Sequence, residues 1–309
     1  MKELALAGNP NSGKTSLFNI LTGSSQHVGN WPGVTVEKKS GLFRKNKDII
    51  IQDLPGIYSL SPYTSEEVIS RNYLLSGNAD GILDVVDATN LERNLYLSLQ
   101  LIETGIPVVL ALNMSDVVEK QGKWIDTTKL SYQLGVPVVA TSALKKTGID
   151  QVMQKVLREM ERTDETLYPV YDSHFEAALS EIIRILGNAV PQKQARFYAI
   201  KLFERDKELS EQLVLSDFQK TEIEDAIRIM EEIYTEDAET IVVNVRYEFI
   251  ESAVKMALQA DVTKLSLSDK IDRIVTNRYL ALPIFALVMW LVYFLSIQTI
   301  GTMGTDWTN

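Results

Sequence analysis

The stretch Gly8-Asn9-Pro10-Asn11-Ser12-Gly13-Lys14-Thr15 decides the fold. It follows a short apolar run at residues 4–7 and precedes a helical pattern made by Leu17, Phe18, Ile20 and Leu21. Strand, G-x-x-x-x-G-K-[ST] loop and helix, in that order, is the context in which this motif wraps a phosphate chain. The glycines let backbone N–H groups turn towards phosphate oxygens at a helix N-terminus, where the dipole favours negative charge. Lys14 is expected to reach the β- and γ-phosphates and Thr15 to ligate Mg2+ through its hydroxyl, with Ser16 closing the loop.

Outward from this loop, residues 49–51, 81–86, 108–112 and 136–140 are short β-branched or apolar runs of buried-strand length. Helical patterns at 91–103 and 148–160 separate the later ones. The repeated βαβ pattern predicts an α/β fold with a mostly parallel sheet covered on both faces. Ligands of such sheets bind at the carboxyl ends of the strands, and three more motifs lie there. Asp53-Leu54-Pro55-Gly56 brings a carboxylate suited to Mg2+, directly or through water, and a Gly56 amide suited to the γ-phosphate. Asn113-Met114-Ser115-Asp116 brings an aspartate that accepts from guanine N1-H and the 2-amino group. Adenine lacks that donor pair, so the motif selects GTP over ATP. Thr141, Ser142, Ala143 and Leu144 follow the next strand and are expected to offer backbone donors to the guanine carbonyl oxygen.

These motifs resemble the guanine-nucleotide boxes of the Ras-like P-loop GTPases. A narrower resemblance rests on Val28-Gly29-Asn30-Trp31-Pro32-Gly33-Val34-Thr35-Val36-Glu37, the phosphate loop, DLPG and Tyr58-Ser59-Leu60. Together they are similar to the cytoplasmic region of the FeoB family of bacterial ferrous iron transporters, and all 309 residues fit that family's order. The resemblance implies a GTPase domain at 1–165 and a small all-α domain, described as stabilising bound GDP, at 166–262. A basic juxtamembrane linker at 263–278 and a first membrane span at 279–299 would follow. It also implies GTP/GDP and Mg2+ as ligands, with Gly33, Val34 and Thr35 in the first switch. Thr35 would join Thr15 and Asp53 around Mg2+, and Asn11, Lys14, Thr35 and Gly56 would serve hydrolysis. Fe2+ would be carried by a membrane domain beyond these residues; a homo-oligomer is left open.

Two positions depart from the common pattern. After D-x-x-G, where a water-orienting glutamine is usual, stands Ile57, which neither orients water nor stabilises charge. Potassium-activated GTPases similar to this chain use an asparagine at the Asn11 position to ligate K+. Asn11 with backbone carbonyls around Gly29 and Trp31 is therefore expected to hold K+ and add charge between the α- and γ-phosphates. Met114 replaces the lysine of N-K-x-D, which predicts weaker guanine affinity and quick GDP release. Residues 24–37 and 56–70 are expected to be ordered by GTP and released on hydrolysis. Glu66 and Glu67 suit a helix start, or a contact with the helical domain.

The rest of the chain narrows the function classes. A content of 45% hydrophobic and 23% charged residues excludes a disordered chain. Having no cysteine excludes disulfides and thiolate metal sites, and two histidines leave little for an imidazole centre. Iron selectivity is therefore expected elsewhere, in the membrane portion. The net charge of -10 argues against a nucleic-acid binder, and the -11 balance of residues 164–262 weighs against an RNA-acting GTPase. That acidic stretch shows helix starts at Ser173-x-x-Glu176 and Thr221-x-x-Glu224, a long helical pattern at 239–260, and no strand signal after 172. Residues 279–297 are uncharged and match a helix crossing the ~30 Å hydrocarbon core. Lys264, Lys270, Arg273 and Arg278 precede this stretch and only Asp306 follows, which predicts residues 1–278 in the cytoplasm and lipid contact through 279–299. The chain reads as the front of a longer membrane protein. The competing readings are a soluble regulatory or ribosome-assembly GTPase, and a nucleotide-sensing adaptor without useful turnover.

Overall fold

Lys2–Ala7 forms β1, the central strand of a seven-stranded sheet in the computed structural model, which describes residues 1–23, 26–162, 167–260, 275 and 281–294. β1 is followed by α1 (Lys14–Thr22), β2 (Gln26–Asn30), β3 (Glu37–Leu42) and β4 (Ile49–Asp53). Next come α2 (Ser65–Leu75), β5 (Gly81–Asp87), α3 (Leu91–Glu103), β6 (Val108–Asn113) and α4 (Ser115–Lys120). The α/β part ends with β7 (Lys123–Ile125), α5 (Thr127–Leu134), β8 (Val138–Ala140) and α6 (Ile149–Glu159). The sheet order is β2-β3-β4-β1-β5-β6-β8. From β4 to β8 all neighbours are parallel, as the βαβ pattern requires.

β2 and β3 are antiparallel to each other and β3 to β4, an edge hairpin that no apolar run announces. Its residues Val28, Gly29 and Glu37 are exposed, as an edge strand without a covering layer must be. The first switch is thus partly sheet, with Gly29 opposite Lys38.

Alternation along the buried strands sends side chains to two cores. Leu4, Leu6, Leu83, Val85 and Val109 pack on α1 through Phe18 and on α6 through Val152 and Val156. On the opposite face, Ala5, Ile82, Val86 and Leu110 pack on α3, and this core continues without interruption into the helical domain. That domain comprises α7 (Ser173–Leu186), α8 (Ala195–Phe203), α9 (Lys207–Gln212), α10 (Asp217–Tyr234) and α11 (Ala238–Ala257). Phe175, Phe197, Phe203 and Val245 belong to the same apolar cluster as the sheet residues. Residues 1–119 and 124–259 accordingly form one compact unit; the change of architecture near residue 165 is not a break in the core.

Several local expectations shift. The N-cap of α7 is Asp172, whose carboxylate accepts from His174 N (2.9 Å) and Phe175 N (3.4 Å), while Glu176 accepts from Tyr171 N (2.8 Å). The cap therefore lies one residue before the expected Ser173, and it is not a reciprocal box, because Glu176 takes the Tyr171 amide rather than that of the N-cap residue. α10 begins at Ser216, whose hydroxyl accepts from Gln219 N (3.3 Å), because Ser216-x-x-Gln219 forms the capping box five residues before Thr221. Thr221 lies inside the helix and donates to Asp217 O (2.9 Å). α8 escaped the periodicity because its buried residues, from Ala195 to Phe203, cover every side of the helix. A short strand, β9 (Leu258–Ala260), also forms where the sequence carries no strand signal.

A second unit comprises residues 120–123 and 260–309. Its helix α12 (Ala281–Tyr293) is apolar, with Phe285, Leu287, Trp290 and Val292 exposed. Among the described residues no helix is long and apolar enough to cross a membrane. Residues 279–280 and 295–299 of the expected span, and the linker basics at 264, 270, 273 and 278, lie outside the described residues.

Candidate guanine-nucleotide site

The carboxyl ends of β1, β4, β6 and β8 bring all four motifs together. Leu54 N donates to Leu6 O (3.0 Å) and Thr141 N to Leu112 O (2.8 Å), so each motif leaves its strand at the same edge. Asn113 ties them laterally: its Nδ2 donates to Ser12 O (2.8 Å) and its Oδ1 accepts from Ala143 N (2.9 Å). This close approach explains Gly13, which has φ +91° and whose Cβ, if present, would overlap Asn113 Nδ2. Gly56 lies against the backbone of Pro10. Asn11 has φ +66°, a left-handed conformation that asparagine tolerates, and its side chain is exposed.

At the phosphate end, the buried Lys14 ammonium pairs with the Asp53 carboxylate. Burial raises the Asp53 pKa above the usual 3.8, and Lys14 pulls in the opposite direction. Thr15 and Ser16 are exposed in the first turn of α1. Asn9 Nδ2 and Ser12 Oγ are buried without a hydrogen-bond partner among the described residues. A polyanion accepting from loop donors and a divalent cation held by Thr15 and Asp53 both fit this donor set: orphaned buried polar atoms are costly, and Mg2+ takes oxygen ligands.

At the base end, Asp116 is buried at the start of α4. Lys145 Nζ lies 3.3 Å from its carboxylate. Met114, half-buried, has φ +62°, which turns the chain between β6 and α4. Sequence reasoning missed Lys145; the cue was a lysine pair following Leu144 in a chain whose Asp116 motif had lost its own lysine. The backbone amides of Ser142 and Ala143 have protein acceptors here, Thr147 O (3.2 Å) and Asn113 Oδ1. Leu144 is exposed, and the Thr141 hydroxyl is buried without a partner among the described residues.

The switches differ in anchoring. Trp31 is buried, edge-on to Tyr73 of α2 (5.6 Å between ring centroids), and its backbone N–H donates to Val36 O (2.9 Å). The intervening Gly33, Val34 and Thr35 form a turn in which Thr35 is exposed, and Trp31 O accepts from Val34 N (3.3 Å). In the second switch, Pro55 and Gly56 are followed by the buried Ile57, whose N–H donates to Gly8 O (3.4 Å). Leu60 N donates to Gln100 Oε1 (2.5 Å), another contact absent from the sequence reading. Thr64 then caps α2 reciprocally with Glu67, at distances of 3.2 and 3.1 Å, so Glu67 does open a helix.

Comparison with known proteins follows the same division. A family model described as ferrous iron transport protein B matches residues 2–156, and one described as the FeoB cytosolic helical domain matches residues 171–259. A Porphyromonas gingivalis Fe(2+) transport protein A/Fe(2+) transporter FeoB fusion protein is 42% identical over 98% of this chain, which spans 38% of that relative's length. The crystal structure of the GDP-bound A143S mutant of the S. thermophilus FeoB G-domain is 65% identical. It superposes with a TM-score of 0.82 over 84% of this chain and 100% of its own. The mGMPPNP-bound S. thermophilus NFeoB structure is 66% identical, with a TM-score of 0.76 over 83% of this chain and 97% of its own. By these matches, and by the Ras-like sheet and four converging motifs already described, the chain belongs to the ferrous iron transport protein B family.

Proposed function

We propose that this chain binds GTP with Mg2+, hydrolyses it to GDP and phosphate, and forms the cytoplasmic part of a bacterial Fe(II) transporter. The observation that carries the reading is the pair of hydrogen bonds made by Asn113, which ties the phosphate loop to the guanine-side loop at one end of the sheet. Lys14 meets the β- and γ-phosphates, Thr15 and Asp53 hold the metal with Thr35 joining, and the Gly56 amide meets the γ-phosphate. Bound Mg2+ supplies charge neutralisation at the phosphates. Asp116 reads the guanine edge, with Lys145 as the cation that Met114 does not provide.

Ile57 is 2% exposed, so its side chain takes no part in placing the attacking water. K+ held by Asn11 with carbonyls near Gly29 and Trp31 would fill that deficit, and the exposed Asn11 side chain supports the assignment. The same buried Ile57 favours a second reading, a nucleotide-sensing adaptor with negligible turnover. The exposed apolar side chains of α12 support membrane contact of the 279–299 segment, and the Lys/Arg excess before it supports residues 1–278 in the cytoplasm.

The deciding experiment is phosphate release from GTP and from ATP in KCl and in NaCl. Release confined to GTP supports the enzyme, and none in either salt leaves the adaptor. Growth of cells lacking the intact protein on limiting Fe2+ tests the transporter, and unimpaired growth would remove iron from the reading.

A further inference from the structure

Three side chains outside the nucleotide motifs hold the second switch beyond Ser59. Gln100 on α3 accepts from Leu60 N. Lys201 on α8 donates to Ser61 Oγ at 3.2 Å. The Tyr63 hydroxyl donates to Glu239 in the first turn of α11. Two of these three anchors belong to the helical domain, and they grip residues only five and seven positions beyond Gly56.

Lys201 is 0% exposed, and its other partner is Glu204 at 2.6 Å. Glu204 also receives Arg246 at 2.9 Å, and Arg246 donates to Glu103, at the end of α3, at 2.7 Å. A buried polar chain therefore runs from Ser61 through Lys201, Glu204 and Arg246 to Glu103. A cleft of about 670 Å3, lined by Ser59, Ser61, Tyr63, Tyr96, Glu204 and Glu239, opens beside it and gives the switch room to shift.

A buried ammonium is costly unless oxygen atoms surround it. Withdrawing Ser61 removes one of the two hydrogen-bond acceptors that Lys201 has among the described residues, so the helical domain distinguishes a second switch in place from one that has moved. Linkage makes this reciprocal: a domain that prefers one position of the switch alters the affinity of the site for whichever nucleotide favours that position. We propose that Lys201 is a positioning residue through which the helical domain sets the relative affinity of the site for GTP and GDP, with the Tyr63–Glu239 bond acting in parallel. The physical basis is a continuous set of contacts ending on the segment that meets the γ-phosphate. This assignment rests on the GTPase reading above.

The test uses the full chain and dissociation constants for GDP and for a non-hydrolysable GTP analogue, both with Mg2+. Wild type, Ser61→Ala, Lys201→Met, the double variant and Tyr63→Phe are compared, with thermal unfolding of each. The expected result is a change of at least about fivefold in the GTP-to-GDP affinity ratio for Ser61→Ala and Lys201→Met, in the same direction. The double variant should change no more than the larger single variant, because both break one contact. A wild-type ratio in Ser61→Ala, or effects that add in the double variant, would overturn the assignment. Should Lys201→Met not fold, Ser61→Ala and Tyr63→Phe still decide it from the switch side, with unfolding midpoints near wild type. A wild-type chain that binds neither nucleotide defeats the GTPase reading itself, a separate outcome.

Discussion

Asn113 Nδ2 donates to Ser12 O across 2.8 Å, joining the end of β6 to the phosphate loop, and the same side chain receives the Ala143 amide. Asn113→Ala would delete both bonds and leave a buried amide unpaired, a loss of about 2–3 kcal/mol in unfolding free energy. Because the two loops then move independently, GDP affinity should fall by more than about tenfold. Denaturant titration and calorimetric binding check the two numbers separately.

Asp84 lies on β5 in the interior, where its carboxylate accepts from Ser98 Oγ at 2.5 Å. Burial pushes its pKa up to about 7 from the usual 3.8. The folded state therefore holds this proton more tightly than the unfolded chain does. Its contribution to stability is full below about pH 4, declines as pH rises, and is lost above about pH 7, with a total on the order of 4 kcal/mol. Asp84→Asn should be flatter with pH across this window and more stable than wild type at pH 8. Unfolding curves at pH 5 and pH 8 for both proteins test this; parallel pH dependences would refute it.

Arg246 is fully buried between Glu103 and Glu204. Arg246→Met leaves the buried Glu103 without its cation and Glu204 with Lys201 alone, with a predicted loss of about 3–5 kcal/mol. Adding Glu103→Gln should recover part of it, since one uncompensated charge is removed. The urea midpoints of the three proteins provide the measurement.

Turnover should be faster in KCl than in NaCl, and Asn11→Ala should erase that difference while the chain still binds GDP. Equal rates for wild type in the two salts would exclude K+ as the contributor that Ile57 is not.

Met114→Lys should slow GDP release by several-fold, because a lysine stem covers the base and adds a cation close to Asp116. Stopped-flow release of a fluorescent GDP analogue reads this directly. Release from the wild type that already takes many minutes would contradict the reading of Met114.

The α/β class and the four nucleotide motifs were legible because each is local: a strand, a loop of fixed spacing and a helix start need only their own neighbours. The β2–β3 hairpin was not, since exposed residues such as Val28 and Gly29 of the edge strand carry no burial pattern. Nor was α8, whose all-round burial removes the helical period. Within the site, Gly8 to Thr15 announced themselves, whereas Lys145 and Gln100 act through contacts with residues far away in the chain.

By itself the sequence determined that this protein has a G-x-x-x-x-G-K-[ST] loop, an Asn113-x-x-Asp116 motif, an acidic helical stretch and an uncharged C-terminal segment, because spacing and charge are properties of the chain. Only the tertiary structure decided that the acidic stretch shares one core with the GTPase fold. It alone placed Lys201 and Glu239 against the second switch, since a buried ion pair or a shared apolar layer depends on which distant surfaces folding brings together.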